Sequence, residues 1–311
     1  MMKDARIRMV AFDLDGVIWR GEDPLPGIRT VVPDVLRRGL VLRYVSNNST
    51  AHRRTYSERL ERLGLPAGCE RVLATGFITG RWLRTRLPAG APVMVVGESG
   101  LLEELSEAGL DPYHAQAPWP DHLDPPAAVV VGLDRHVDFQ TLTVAHAAVR
   151  AGALFVATNQ DPTLPTSDGE TLGAGAIVAA VATAAGIPPV LMGKPGLALA
   201  EVLAASTAIP AEETLFVGDR LSTDIVMGEA AGMTTVLVMT GVTTPEELAE
   251  VRRRAQAARA QAAQRAEGDP GRCATLDRGP EAALTLPGPA LPDHVLTDLT
   301  GLPALLDSLQ R

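Results

Sequence analysis

The chain has 311 residues, of which 46% are hydrophobic and 21% are charged, and it contains 29 Gly and 24 Pro. This length accommodates about two domains with buried cores, and the composition excludes a disordered or collagen-like chain. Lys and Arg number 28 against 37 Asp and Glu, and the resulting net charge of −9 argues against nucleic-acid binding through a broad basic surface.

The cysteine content and the N-terminus favour a cytoplasmic protein. The two cysteines, Cys69 and Cys273, are too few for a disulfide framework or a Cys-rich metal site. The first residues enter a β-like segment without the long apolar stretch of a signal peptide. The uncharged run 171–193 is long enough to cross a membrane, but Gly186, Pro188 and Pro189 interrupt it, so no membrane association is expected.

Strand-like and helix-like segments alternate along the chain. Amphipathic periodicity over 28–36, followed by Gly39 as a suitable C-cap, predicts the first helix. The alternation predicts an α/β fold with a parallel sheet, in which ligands bind beyond the carboxyl ends of the strands. The predicted strands are mostly apolar throughout, as strands covered on both faces are, and they span Ile7–Phe12, Leu40–Val45, Pro92–Val96, Ala127–Val131, Ala153–Ala157, Thr214–Val217 and Thr235–Met239.

Polar clusters follow the first two of these strands. Asp13 and Asp15 precede Gly16, and this pattern is either a pair of functional carboxylates or a solvated Asp-rich turn. Ser46 and Asn47 follow the second strand, where a hydroxyl and successive backbone N–H groups can hold an anion or simply cap the next helix.

Two more clusters occur in the second half of the chain. Lys194 lies between an apolar run and Pro195, and such a lone lysine is usually a surface charge. Asp219 and Asp224 lie in the loop after the strand 214–217, where paired carboxylates can bind a hard cation through oxygen.

In this order, each close behind an apolar run, the four clusters resemble the haloacid dehalogenase (HAD) superfamily of phosphotransferases. The segments SNNST, VGESGL, ATNQDPTLPTSDGETLGAGA, GKP and GDRLSTDI are similar to its NagD-like, 4-nitrophenylphosphatase and phosphoglycolate phosphatase branch. The resemblance covers nearly the whole chain. It implies a Rossmann-like parallel-sheet core with an inserted α/β cap domain of the type II class.

The spacing of the clusters agrees with such an insertion. The gap between Asp13 and Ser46 holds little more than a turn and a helix, whereas the gap between Ser46 and Lys194 holds a whole domain. The expected division is therefore 1–78 for the first part of the core, 79–186 for the cap and 187–311 for the second part of the core.

The stretch from about 248 to 291 departs from the pattern of the branch. It begins behind a capping box at Thr244, with Pro245 at the first helical position, and continues as an Ala-rich sequence. Because Ala buries little area, a solvated helical insert is predicted, followed by a Gly- and Pro-rich loop.

The resemblance implies a role for each acidic motif residue. Asp13 would be the nucleophile that forms an aspartyl-phosphate, and Asp15 the general acid and base. Mg²⁺ would be held by the carboxylates of Asp13 and Asp219 and by the backbone carbonyl of Asp15. Asp224 would either bind the ion directly or support the residues that bind it. The presence of Asp15 favours phosphoryl transfer over carbon–halogen cleavage.

The remaining motif residues would bind the substrate. Lys194 and Mg²⁺ would screen the repulsion between a carboxylate and a phosphate, and Ser46 with the Asn47 backbone N–H would bind phosphate oxygens. Four cap residues match the branch and are candidates for the wall that faces the substrate, although each also suits a purely structural role: Asn159, Asp161, Gly173 and Gly175.

The leading hypothesis is a Mg²⁺-dependent phosphomonoester hydrolase that acts on small phosphorylated metabolites. The alternatives are a non-catalytic phosphometabolite-binding protein and a phosphomutase on the same fold, and release of free phosphate separates the first reading from both. Caps of this kind can dimerise, so a homodimer stays open, although the sequence shows no exposed apolar patch.

Overall fold

The computed structural model describes residues 6–116, 125–166, 169–268 and 290–310. Its strands are, in chain order, β1 (Met9–Asp13), β2 (Trp19–Arg20), β3 (Asp23–Pro24), β4 (Val41–Ser46), β5 (Val72–Ala74), β6 (Pro92–Val96), β7 (Asp111–His114), β8 (Ala128–Val131), β9 (Leu154–Ala157), β10 (Thr163–Thr166), β11 (Gly169–Leu172), β12 (Val190–Leu191), β13 (Thr214–Gly218), β14 (Thr234–Val238) and β15 (His294–Leu296).

Helices separate most of the strands. They are α1 (Ile28–Arg37), α2 (Arg53–Arg62), α3 (Thr75–Arg84), α4 (Ser99–Glu107), α5 (Phe139–Arg150), α6 (Ala174–Ala185), α7 (Ala198–Thr207), α8 (Val226–Ala231), α9 (Pro245–Gly268) and α10 (Leu302–Leu309). Within the described ranges, no helix is both long enough and apolar enough to cross a bilayer.

The larger sheet has six parallel strands in the order β15-β14-β13-β1-β4-β5. Every residue of β1 is buried, because β4 and β13 flank this strand and packed side chains cover both faces of the sheet. The α/β fold class with a parallel sheet is confirmed. The carboxyl ends of β1, β4 and β13 lie side by side, and the polar clusters of the sequence follow these ends.

A second parallel sheet has the order β12-β9-β8-β6-β7. Its last strand in the chain, β12, pairs with β9 and lies beyond residue 186, at which the sequence analysis ends the cap. The expected division at 78 and 186 stays a prediction. The two-stranded ribbons β2-β3 and β10-β11 are antiparallel.

One hydrophobic cluster joins the two sheets. It combines Met9 and Leu73 of the larger sheet with Val93 and Val130 of the smaller one, and side chains of α3, α4 and α7 fill the space between them. The two layers therefore share a buried apolar core.

Helix α4 lies in close contact with the segment just before α2. A Cβ atom added to Gly100 would lie 2.4 Å from the backbone carbon of Ala51 and 2.6 Å from the nitrogen of His52, which leaves room only for glycine. Nearby, the Arg53 guanidinium pairs with Glu104 and, at 2.8 Å, with Glu107. Backbone contact and ion pairing thus fix α4 against the start of α2.

The predicted helical insert begins as expected. Thr244 Oγ1 accepts a hydrogen bond from the backbone nitrogen of Glu247 at 3.2 Å, and Glu247 Oε2 accepts one from the Thr244 nitrogen at 2.9 Å. This is the reciprocal capping box. Leu248 is buried in a small cluster with α8 and β14 side chains, so the helix is anchored at its first turn. Most of the Gly- and Pro-rich loop, 269–289, lies outside the described residues.

Candidate active site

A cavity of about 500 Å³ opens at the carboxyl ends of β1, β4 and β13 and extends to loops of the second sheet. Nine of the residues that the sequence analysis selected line it: Asp13, Asp15, Ser46, Asn47, Asn159, Asp161, Lys194, Asp219 and Asp224. Gly173 and Gly175 do not line it, whereas Ala174 between them does. The volume is that of a small-molecule site.

Three carboxylates and one ammonium form the floor of this cavity. Lys194 Nζ lies 2.6 Å from Asp13 Oδ1 and 2.7 Å from Asp224 Oδ1. Carboxylate oxygens of Asp13, Asp219 and Asp224 lie within 4.8 Å of one another. All four side chains are at least 89% buried, so the lysine is no surface charge.

Burial and charge shift the proton affinities of this group. Burial raises the pKa of Asp13 well above its ordinary value, and the charges of Asp224 and Asp219 add to the rise while Lys194 opposes it. Burial and then the charge of Asp224 raise the pKa of Asp219 to about 6. Burial by itself would lower the pKa of Lys194, but Asp13 and Asp224 outweigh it and the pKa is raised.

Backbone groups hold the two carboxylates that follow β13. Asp224 Oδ2 accepts hydrogen bonds from the nitrogens of Asp219 and Arg220, at 3.2 and 3.0 Å. With Oδ1 on Lys194, both oxygens of Asp224 are engaged. Asp219 Oδ2 accepts a hydrogen bond from the Val242 nitrogen at 2.7 Å.

The turn after β1 crowds Asp219. Gly16 adopts a φ of +81°, and a Cβ atom there would lie 2.5 Å from Asp219 Oδ2. Glycine is therefore required both by the left-handed backbone and by the close approach to the carboxylate. It also reverses the chain, so that Trp19 returns to Asp15 and its indole N–H donates to Asp15 Oδ1 at 2.9 Å.

Asn47 organises the backbone around the cavity. Its Oδ1 accepts a hydrogen bond from the Lys194 nitrogen at 2.8 Å, and its Nδ2 donates to the Lys194 carbonyl at 2.9 Å. Its own carbonyl accepts from Thr75 Oγ1 and Asn159 Nδ2. The side chain thus clamps the segment that carries the lysine. Phosphate binding through the Asn47 N–H stays a prediction, as does the same role for Ser46.

Two candidates from the predicted cap, Asn159 and Asp161, line the cavity beside Asn47. Asp161 Oδ2 lies 3.4 Å from Asn47 Nδ2, and Asp161 Oδ1 lies 3.8 Å from the Arg220 guanidinium. Gly173 and Gly175 press their backbones against the carbonyls of Asp161 and residue 160, where added Cβ atoms would lie 2.1 and 2.4 Å away. Gly173 is the N-cap of α6 and Gly175 lies in its first turn, and their predicted contact with substrate stays a prediction.

Several cavity residues escaped the sequence analysis. Leu133 and Arg135 follow β8, and Arg220 and Val242 lie beyond β13 and β14. The rule that sites follow strand ends could have found all four, because those strands were predicted. No such signal marked Trp19, whose contact with Asp15 depends on the reversal at Gly16.

The carboxylate cluster fits a divalent metal ion. Its ligands are all carboxylate oxygens, which hard cations such as Mg²⁺ prefer. When all three carboxylates are ionised, one ammonium leaves two negative charges uncompensated in this buried site, and a divalent cation would neutralise them.

Comparison with known proteins identifies the family. The model of the haloacid dehalogenase-like hydrolases matches residues 10–111, and a second model, of HAD-hydrolase-like proteins, matches 191–264. The chain is 39% identical over 259 residues to a glycerol-3-phosphate phosphatase from Gallus gallus, with 78% of this chain and 83% of that protein covered.

Solved structures agree with this result. A p-nitrophenyl phosphatase from Archaeoglobus fulgidus superposes with a TM-score of 0.75 at 30% identity, covering 97% of this chain and 99% of that one. A glycerol phosphate phosphatase from Mycobacterium tuberculosis, in complex with magnesium, gives 0.73 at 31% identity and covers 96% and 77%. The chain therefore belongs to the haloacid dehalogenase-like hydrolases and is a phosphatase of that family.

Proposed function

We propose that this phosphatase hydrolyses phosphomonoesters of small metabolites through an aspartyl-phosphate on Asp13, with Mg²⁺ as its metal. The observation that carries the proposal is the buried group on the cavity floor, in which Lys194 lies 2.6 Å from Asp13 beside two further carboxylates. A site that only bound phosphate would be poorly served by so many negative charges. A nucleophile and its metal ligands account for them.

The proposed reaction has two chemical steps. An Asp13 oxygen attacks phosphorus, the ester P–O bond breaks, and Asp15 gives its proton to the departing alkoxide. Asp15 then takes a proton from water as that water attacks phosphorus, which releases inorganic phosphate and restores Asp13. Lys194 offsets the negative charge that the phosphoryl group brings to the floor.

Mg²⁺ would be held by the carboxylates of Asp13 and Asp219 and by the backbone carbonyl of Asp15. When bound, it supplies positive charge that reduces the repulsion between carboxylate and phosphate. Because both oxygens of Asp224 already accept hydrogen bonds or pair with Lys194, we assign Asp224 to the support of Lys194 and of the loop.

The substrates that we propose are phosphate esters of small alcohols. The support is the cavity volume of about 500 Å³ and the names of the relatives, which act on glycerol phosphate or p-nitrophenyl phosphate. Leu133, which follows β8, and Leu164 of β10 line the cavity and suit a compact leaving group with an apolar face.

The test is phosphate release from p-nitrophenyl phosphate, glycerol 3-phosphate and phosphoglycolate, with Mg²⁺ and with EDTA. We expect release that requires Mg²⁺ and that falls by at least about a thousandfold in Asp13→Asn. Asp111→Asn, the same change at an exposed position on β7, serves as the control and should keep full activity. Binding without release would favour the phosphometabolite-binding alternative, and transfer to a second sugar hydroxyl would favour a phosphomutase.

A further inference from the structure

The Asp15 carboxyl is exposed to the cavity, and an aspartate in such a place has rotational freedom that a proton donor should not have. One strong contact limits it. Trp19 Nε1 donates to Asp15 Oδ1 at 2.9 Å, and the Trp19 side chain is only 1% exposed. The buried indole therefore fixes an otherwise mobile acid.

The indole itself is held on several sides. The Gly16 nitrogen donates to the Trp19 carbonyl at 2.8 Å, and the Trp19 nitrogen donates to Leu14 O at 3.2 Å. The Arg59 guanidinium of α2 stacks on the indole at 4.0 Å from the ring centroid and also donates to the Gly21 carbonyl. Ring and backbone are both restrained, so the N–H keeps its direction.

We propose that Trp19 is the positioning residue of the general acid, an inference that rests on the proposed role of Asp15. An indole N–H can only donate, so it favours a lone pair on Oδ1 and leaves the transferable proton on Oδ2. The same hydrogen bond sets the plane of the carboxyl group. Trp19 thus selects both the oxygen that carries the proton and the direction in which that proton points.

The experiment compares kcat/KM for two esters whose leaving groups differ in their need for a proton. The glycerol alkoxide is a poor leaving group and needs a proton from the general acid, whereas p-nitrophenolate leaves readily without one. Because kcat/KM reports the steps up to loss of the leaving group, it isolates the acid from the later attack of water. In Trp19→Phe, which keeps an aromatic ring under Arg59 but lacks the N–H, we expect kcat/KM for glycerol 3-phosphate to fall about tenfold more than for p-nitrophenyl phosphate.

Trp82→Phe is the matched control. Trp82 is also a buried tryptophan, 7% exposed, and the Arg86 guanidinium stacks on its ring at 3.6 Å, but it lies on α3 and outside the residues that line the cavity. The ratio of the two kcat/KM values should stay at its original value in this variant. Equal losses for both esters in Trp19→Phe, or an equal change of the ratio in Trp82→Phe, would overturn the proposal.

A second variant guards against misfolding of the first. Arg59→Leu leaves Trp19 in place but removes the stacked guanidinium and its bond to Gly21, so the ratio should shift in the same direction by about threefold. If the ratio stays unchanged both in this variant and in a folded Trp19→Phe protein, the positioning role of Trp19 is refuted and the proposed function is not. Absence of phosphate release from the original protein would instead refute the proposed function, so the two failures are distinguishable.

Discussion

Lys194 owes its place among the aspartates to a neighbour that is remote in sequence. The Asn47 amide makes two hydrogen bonds with the backbone of Lys194, one in each direction, and this pairing fixes both the nitrogen and the carbonyl of the residue. A flexible four-carbon side chain can then reach Asp13 and Asp224 from a rigid origin. The hydrogen bonds from Asn47 to the Lys194 backbone thus fix the point from which the lysine side chain extends.

Asn47→Ala should lower both activity and stability. It removes two partly buried hydrogen bonds, so we expect a loss of about 1–3 kcal/mol in the free energy of unfolding and a fall of at least about tenfold in kcat/KM for p-nitrophenyl phosphate. Urea denaturation and initial rates measure the two effects. Gln140→Ala is the control, because it removes an exposed carboxamide on α5, outside the residues that line the cavity, and it should change kcat/KM by less than about threefold.

Single residues also show where sequence interpretation succeeds and where it stops. The aspartates at 13, 15, 219 and 224 follow strands that apolar runs reveal, so the common edge of a parallel sheet was enough to group them. Trp19 carries no such mark, because its meeting with Asp15 is made by a left-handed turn at Gly16. The Asn47 clamp is equally hidden, since hydrogen bonds between distant segments leave no local pattern.

Among the elements, the longer apolar strands were predictable and the short or polar ones were not. β7 reads DPYH and has exposed ends, and among the described strands it pairs with β6 alone, at the edge of its sheet. β12 has two residues behind a pair of prolines, too few for any periodicity. Helix α9 was predicted through its capping box, a local device that needs no partner.

The contact between α4 and the start of α2 leaves no room for a side chain at position 100. Ala is the better helix former by about 1 kcal/mol, yet a Cβ at 100 would lie 2.4 Å from the Ala51 backbone, and neither backbone can move without disturbing the Arg53 ion pairs. We expect Gly100→Ala to lower the free energy of unfolding by about 2–4 kcal/mol.

Thermal or urea unfolding of Gly100→Ala measures this cost. Ser106→Ala, at an exposed position of the same helix, should stay within about 0.5 kcal/mol of the original protein. A Gly100→Ala protein as stable as the original would mean that the two backbones can separate freely, and that the close contact contributes little to holding the two sheets together.

At the scale of the whole molecule, the metal-free protein carries a buried charge imbalance that lowers its stability. The pKa of Asp219 is raised to about 6 by burial and Asp224, so the folded protein binds more protons than the unfolded chain between about pH 4 and 6. The contribution of Asp219 to stability therefore declines as pH rises through that window. Mg²⁺ should reverse this loss by binding the ionised form.

Asp219→Asn tests this balance. Without metal at pH 7, the variant should be more stable than the original protein by about 1–3 kcal/mol, because a buried charge has been removed while the Asn side chain can still accept from the Val242 nitrogen. Mg²⁺ should raise the melting temperature of the original protein and have little effect on the variant. Differential scanning calorimetry with EDTA and with Mg²⁺ supplies both comparisons, and a metal-free variant that melts lower would contradict the expected imbalance.

The path of the chain from β12 to Lys194 has a consequence for the exchange of parts between relatives. Residues 190–193 follow β9 of the second sheet through backbone hydrogen bonds, and the next residue places its ammonium group among the aspartates of the first. The position of the Lys194 ammonium group therefore depends on both sheets. In a chimera that replaces the second sheet, the backbone that supports Lys194 is replaced as well. The junction should therefore lie after Lys194, and the new segment needs backbone groups that can pair with Asn47. A transplanted second sheet without that segment would give the enzyme new substrate-contacting residues but no lysine to balance the charge of the aspartates.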